Sequence, residues 1–242
     1  MPKLELRAFS AQDVMAETAA VAAAALLRRA SAARPRTIAL TGTPSAALLY
    51  RQLALLPNIP WEYIFVFWTN DRYVPHGHEM SHVRVARESL LDHVPIPAHQ
   101  IFPIPYAEGR TVQEAAALYD QTLRTVLGPD AFFDLAIMGM GFDGRTASLF
   151  PDTPLHRSEK LAFASSAPEG DPVRDRITCA RHLLDRSTQV FFLVTGEDKR
   201  PLLKRILKEG RKLCPVLPAA CIRGQERLRW YVDEAANPNG GT

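Results

Sequence analysis

Phe133-Asp134-Leu135-Ala136-Ile137-Met138-Gly139-Met140-Gly141-Phe142-Asp143-Gly144-Arg145-Thr146-Ala147-Ser148-Leu149-Phe150-Pro151 is the stretch on which the fold turns. It opens with an apolar run of strand length, Asp134 to Met138, and passes at once into a loop with glycines at 139, 141 and 144. Such glycines permit positive φ and let backbone N–H groups approach a ligand oxygen closely. On the glycines alone, two readings stand: a cradle for an oxyanion or phosphate, or a tight strand-to-helix turn with no ligand.

The same alternation repeats on either side. Upstream, Thr37 to Leu40 reads as a short strand bounded by Gly42, followed by a helix from Ala46 to Leu56. Tyr63 to Trp68 reads as a buried strand, Thr69 to Met80 as a polar loop, and Ser81 to about Asp92 as a helix. Ile101 to Ile104 is a strand candidate, and Thr111-Val112-Gln113-Glu114 is a capping box opening a helix to Leu127. A second capping-box-like start, Ser10-Ala11-Gln12-Asp13, predicts a long helix to Ala33, ended by Arg34-Pro35. Downstream, strands are expected at Leu161–Ser165, Ile177–Ala180, Gln189–Thr195 and Arg227–Val232. A helix is expected at Asp198–Glu209 with Pro201 in its first turn. This pattern predicts an α/β fold: a mainly parallel sheet with helices on both faces, right-handed crossovers, and function at the C-terminal ends of the strands. One α/β domain over residues 1–236 is expected, with a frayed polar tail at 237–242.

Composition narrows the function classes. Of the 242 residues 47% are hydrophobic and 23% charged, the balance of a globular chain rather than a disordered one. Lys and Arg number 29 against 26 Asp and Glu, a formal charge of +3 with no basic block. Neither a nucleic-acid nor a membrane partner is supported, whereas a small anionic ligand is compatible. The longest apolar stretch, Ala19 to Leu27, is far short of the ~20 residues that span a bilayer. Glu5, Asp13 and Glu17 suit neither a secretory signal nor a transit peptide. Cys179, Cys214 and Cys221 form no CxxC pair and no metal-like spacing, and read as reduced structural thiols in a cytoplasm.

The quoted loop resembles the signature of the 6-phosphogluconolactonases, GMG-x-DGHTASLFP, at every defined position except Arg145, where that family has histidine. Other segments follow in similar order. Phe67 to Pro75 resembles the family's DERxVP loop, Ser81 its SN helix start, Arg176-Ile177-Thr178 its RIT segment and Thr195 to Lys199 its TGxxK segment. The resemblance covers nearly the whole chain and implies the deaminase/lactonase fold shared with glucosamine-6-phosphate deaminases. The deaminase loop continues IAFNEP after DGH, whereas Thr146 to Pro151 follow the lactonase version. Departures are specific: Gly42-Thr43-Pro44-Ser45-Ala46 stands for GGSTP, Asn70 and Asp71 for an aspartate and a glutamate, and His82 for asparagine.

The resemblance implies hydrolysis of 6-phospho-D-glucono-1,5-lactone, a sugar-phosphate substrate, no cofactor or metal, and a monomer or small homo-oligomer. Gly42, Thr43, Ser45, Arg72, Arg176 and Lys199 are expected to hold phosphate, and backbone N–H groups around Gly141 to Gly144 to face the carbonyl oxygen. Arginine cannot replace a basic histidine, because its permanently protonated guanidinium has no acceptor. It can hold phosphate or an oxyanion. Water activation would then fall to Asp143, Asp71 or His82, the last because an imidazole is gained there in the chain that lost one at 145. An aldose–ketose isomerase/deaminase of amino-sugar phosphates and a non-catalytic sugar-phosphate binder are the alternatives.

Other features carry less. His78-Glu79-Met80-Ser81-His82 fits H-E-x-x-H, but Pro75, Gly77 and a capping Ser81 place the two histidines across a helix start rather than on one formed face. His76, His93, His99, His156 and His182 read as surface or capping residues, and Arg51, Arg124 and Lys204 as helix-surface cations. Trp61, Trp68 and Trp230 read as core before they read as sugar platforms.

Overall fold

The structure is a computed structural model describing residues 2–151, 159–214 and 216–240. Its elements in chain order are β1 (Lys3–Phe9), α1 (Gln12–Leu27), β2 (Arg36–Leu40), α2 (Pro44–Ala54), β3 (Ile64–Trp68), β4 (Asn70–Arg72), α3 (His82–Ser89), α4 (Val112–Leu127), β5 (Leu135–Gly139), β6 (Ala162–Ser166), β7 (Asp175–Cys179), α5 (Arg181–Asp185), β8 (Gln189–Val194), α6 (Arg200–Glu209) and β9 (Arg227–Asp233). Six strands form one sheet in the order β1-β9-β8-β5-β2-β3, every pairing parallel. Successive residues of β5 and β8 are buried. Neighbouring side chains on a strand point to opposite faces, so burial of both sets means that both faces are covered, which explains the unbroken apolar runs.

Two buried tyrosines finish the sheet at the end that matters. Tyr50 Oη donates to the Thr41 carbonyl (2.8 Å) and accepts from Thr41 N–H (2.9 Å) just beyond β2. Tyr119 Oη treats Trp68, the last residue of β3, in the same way (2.7 and 2.9 Å). Each hydroxyl satisfies one donor and one acceptor that the ladder leaves behind, so both strands end cleanly where the chain turns into a loop.

Several expectations are corrected. β1 was not expected; its polar residues are matched across the β1–β9 register, Glu5 lying opposite Arg229 and bonded to it at 3.0 Å. Burial raises the Glu5 carboxyl, but Lys3 and Arg229 hold it down at about 2. Ser10 does not cap α1: the helix starts behind Ala11, which has no side-chain acceptor, and ends at Leu27 in tight turns instead of running to Ala33. Ile101–Ile104 is no strand, because Pro103 and Pro105 lack the N–H a ladder needs; a single bridge, Val66 to Ile101, is all that forms. β6 and β7 do not join the parallel sheet but pair antiparallel with β4 in the order β4-β7-β6, and β6 is only half buried, as a one-sided sheet allows. Cys214 and Cys221 are not free thiols: short 3-10 turns bring their Cα atoms to 4.8 Å and the two are disulfide-bonded. Cys179 is free and buried, its thiol pushed up by burial.

The Thr111 capping box of α4 is formed in both directions, and Pro201 sits in the first turn of α6. Ser81 caps α3, accepting from Val83 and Arg84.

Candidate active site

A cavity of about 380 Å³ opens where β2, β3, β5 and β8 end. Thr41 and Thr43 reach it from β2, Asn70 and Arg72 from β4 directly after β3, residues 139–142 and 145–148 from the loop after β5, and Thr195 and Lys199 from the segment after β8. Parallel packing therefore gathers into one space the segments that the sequence scatters over more than 150 residues.

The N-terminus of α2 forms one wall. Thr43 is its N-cap, Oγ1 accepting from Ala46 N–H at 3.3 Å, and Ser45 Oγ lies 3.3 Å from that hydroxyl. Pro44 has no N–H to offer. Ser45 N–H, next in line, meets no acceptor among the described residues, which leaves a donor at the positive end of the helix. Gly42 does not line the cavity. A Cβ there would come within 2.3 Å of the His82 ring, so its part is to let α3 pack close behind this loop.

The loop after β5 behaves differently. Gly141 N–H donates to the Arg145 carbonyl (2.9 Å), Gly144 N–H to the Gly141 carbonyl (3.0 Å) and Arg145 N–H to Asp143 Oδ1 (3.0 Å). These three donors are spent inside the loop, whereas the N–H groups of Phe142 and Asp143, which lie between Gly141 and Gly144, meet no acceptor among the described residues. Gly144 has φ +82°, and a Cβ there would lie 2.5 Å from Leu217, so only glycine fits. Ala147 takes φ +51° in the tight Thr146–Leu149 turn, a conformation rare for a residue with a Cβ. What this loop delivers to the cavity is a side chain: the Arg145 guanidinium, braced by Asp143 Oδ2 at 3.2 Å and lying 5.3 Å from the Phe142 ring centroid.

None of the three candidate bases is free. Asp143 is turned onto Arg145 by both oxygens and does not line the cavity. Asp71 is buried as a staple for α3: Oδ1 accepts from Arg72 and His82 N–H (2.7 Å each), Oδ2 from Ser81 Oγ (3.0 Å) and Val83 N–H (3.2 Å). His82 does line the cavity, but Nδ1 lies 2.9 Å from the Asn70 carbonyl and Nε2 2.9 Å from Arg72 Nη1. A carbonyl can only accept and a guanidinium only donate, so the proton sits on Nδ1 and the Nε2 lone pair is committed to Arg72. Burial pushes this imidazole below its ordinary value against the pull of Asp71. With both nitrogens engaged, the H-E-x-x-H match offers a metal nothing at His82, and His78 lies in the turn before the helix.

Cations dominate the remaining surface. Arg72 and Arg176 face each other across the β4–β7 register. The Nε–H of each finds no acceptor among the described residues. Burial and the positive charges of Arg72 and Arg145 bring Arg176 down to about 10, still protonated at neutral pH. Lys199 Nζ donates to the Thr195 carbonyl (2.9 Å) and pairs with Asp198 (3.1 Å). Contributors that were not anticipated include Asn70, whose side-chain amide donates to Ser148 Oγ (2.9 Å); Ser148 itself; and Asp171, from the turn between β6 and β7. The tryptophans are core, not sugar platforms, and none lines the cavity. His156 lies outside the described residues.

A family model described as glucosamine-6-phosphate isomerases/6-phosphogluconolactonase matches residues 10–230. The chain belongs to this family. Relatives in it include the 6-phosphogluconolactonase of Synechocystis sp., 36% identical with 94% of this chain and 95% of that one covered, and that of Homo sapiens, 34% identical with 94% and 90% covered. Among solved structures, the 6-phosphogluconolactonase of Thermotoga maritima superposes with a TM-score of 0.81 at 29% identity over 96% of this chain and 100% of that one. A monomeric glucosamine-6-phosphate deaminase superposes equally well, TM-score 0.81, at 14% identity over 96% and 98%, and shares the fold. The cavity presents Arg145 at the position where the signature that this loop resembles has histidine.

Proposed function

We propose that this chain hydrolyses 6-phospho-D-glucono-1,5-lactone to 6-phospho-D-gluconate, the second step of the oxidative pentose phosphate pathway, as a cytoplasmic enzyme acting through one α/β unit of residues 1–236. The observation that carries the reading is the charge of the cavity: Arg72, Arg145, Arg176 and Lys199 line a space of about 380 Å³, within the range of small-molecule sites, at the ends of the parallel strands. Arg72, Arg176 and Lys199, with Ser45 N–H and the Thr43 and Ser45 hydroxyls, hold the phosphate. Arg145 faces the lactone carbonyl and stabilises the negative charge that develops on its oxygen when water adds. Asp143 fixes the guanidinium plane, and the neutral His82 imidazole fixes Arg72, so both act through an arginine.

A lactonase assay with freshly generated substrate, corrected for spontaneous hydrolysis, tests this. Turnover well above the blank is expected, and it persists after exhaustive chelation because no step calls on a metal. A rate equal to the blank at high enzyme concentration would overturn the reading. A melting shift with 6-phosphogluconate but no turnover would mark a binding protein, and ammonia release from glucosamine 6-phosphate a deaminase.

A further inference from the structure

Lactone hydrolysis needs a group that takes a proton from the attacking water, and the cavity is poor in such groups. Among the described residues that line it, only His82 and Asp171 have side chains able to accept a proton at neutral pH, and the His82 lone pair is occupied by Arg72. Asp171 is the one carboxylate in the lining. It sits in the turn between β6 and β7, where Oδ1 accepts from Val173 N–H (3.1 Å) and from Arg176 Nη2 (2.6 Å). Its other oxygen, Oδ2, accepts no hydrogen bond among the described residues. The contrast with Asp71 and Asp143 is direct: each of those commits both oxygens to protein donors. Asp171 is thus anchored by one oxygen and open by the other, the geometry of a carboxylate that is positioned yet keeps a lone pair.

Resting on the lactonase reading above, we propose that Asp171 is the general base of this site. Water bound between Asp171 Oδ2 and the lactone adds to the carbonyl carbon. Its proton passes to Oδ2, and the carbonyl electron pair moves onto the oxygen facing Arg145. When the tetrahedral adduct collapses, the carbon–oxygen double bond re-forms and the ring C–O bond breaks. The departing ring oxygen takes the proton back from Asp171 and becomes the C5 hydroxyl. The new carboxyl group ionises, releasing one proton to solvent, and Asp171 is returned as a carboxylate. No residue of the family signature is needed for this transfer, which lets Arg145 serve as a fixed cation.

Three variants test it: Asp171→Asn, Asp171→Ala and Asp171→Glu, each assayed for turnover and for binding of 6-phosphogluconate by calorimetry. General-base removal typically costs ~10²–10⁴-fold, so Asp171→Asn is expected to lower kcat by about 100-fold or more with KM within about threefold. Added formate is expected to restore part of the kcat of Asp171→Ala, since a small carboxylate can occupy the vacated space. A structural role for Asp171 would not produce that rescue. Asp171→Asn with kcat within threefold of wild type overturns the proposal, as does a loss confined to KM, which would reduce Asp171 to a support for Arg176. If Asp171→Asn does not fold, the formate response of Asp171→Ala and the kcat of Asp171→Glu decide, and absence of both rescue and partial activity overturns it. Failure of the lactonase reading itself looks different: the unaltered protein then shows no turnover above the blank.

Discussion

The loop after β2, with one glycine at 42, and the loop after β5, with glycines at 139, 141 and 144, end in the same cavity, yet they work in opposite ways. The first feeds straight into α2, so its backbone is recruited by the helix and a donor, Ser45 N–H, is left at the helix start. The second closes on itself, spending the N–H groups of Gly141, Gly144 and Arg145 internally, and holds a side chain outward. Glycine spacing is therefore a statement about backbone freedom and not about what meets the ligand. That is decided by where the chain goes next: the helix leaves Ser45 N–H unpaired, whereas the closed turn consumes the N–H groups of Gly141, Gly144 and Arg145.

If the second loop works through its side chain, Arg145→Ala gives the largest effect, a fall of about 100-fold in kcat with a smaller change in KM, the usual scale for losing one oxyanion partner. Steady-state kinetics on the folded variant checks it; an unchanged kcat would return the loop to a purely structural part. Gly144→Ala attacks the closure itself. Positive φ and the Leu217 contact are expected to cost ~1–3 kcal/mol, read as a lowered midpoint in urea unfolding.

On the first loop, Thr43→Ala removes the α2 cap and should cost about 1 kcal/mol of stability with a few-fold rise in KM and little change in kcat. A kcat effect equal to that of Arg145→Ala would erase the distinction between the loops. The smallest effect is on pH. Folding holds the His82 imidazole below its ordinary value of 6.5, so the unfolded chain binds the extra proton first. Its contribution to stability is full above about 6.5 and declines as the pH falls below that value toward the lower folded one. His82→Asn should flatten this part of a plot of Tm against pH, and a slope unchanged by the substitution would assign it elsewhere.

Much of this was legible in the sequence. Apolar runs located β2, β3, β5 and β8, because a strand buried on both faces carries few polar residues, here confined to the start of β2 and β8. β1 was missed for the converse reason: Lys3, Glu5 and Arg7 look like surface until Arg229 is placed beside Glu5 by the fold. The three-residue β4 is too short to show a period, so the second sheet was invisible. The arginines and the α2 cap could be located from motifs. The fates of Asp71 and Asp143 could not, since a carboxylate that staples a helix or braces an arginine has the same letter as one that faces a cavity. Asp171 lies in a Pro- and Gly-flanked turn with no pattern of its own. The bond between Cys214 and Cys221 is likewise set by local turns rather than by a recognisable spacing.

The charged strand β1 also settles how the sheet stops. It pairs with β9 on one side only, so its outer row of N–H and C=O groups is available to any extended chain that drifts alongside. Lys3 and Arg7 stand along that edge with most or much of their side chains in water, both drawn to Glu5. An incoming strand would have to strip water from both cations, which discourages edge-to-edge addition and fibril growth along β1.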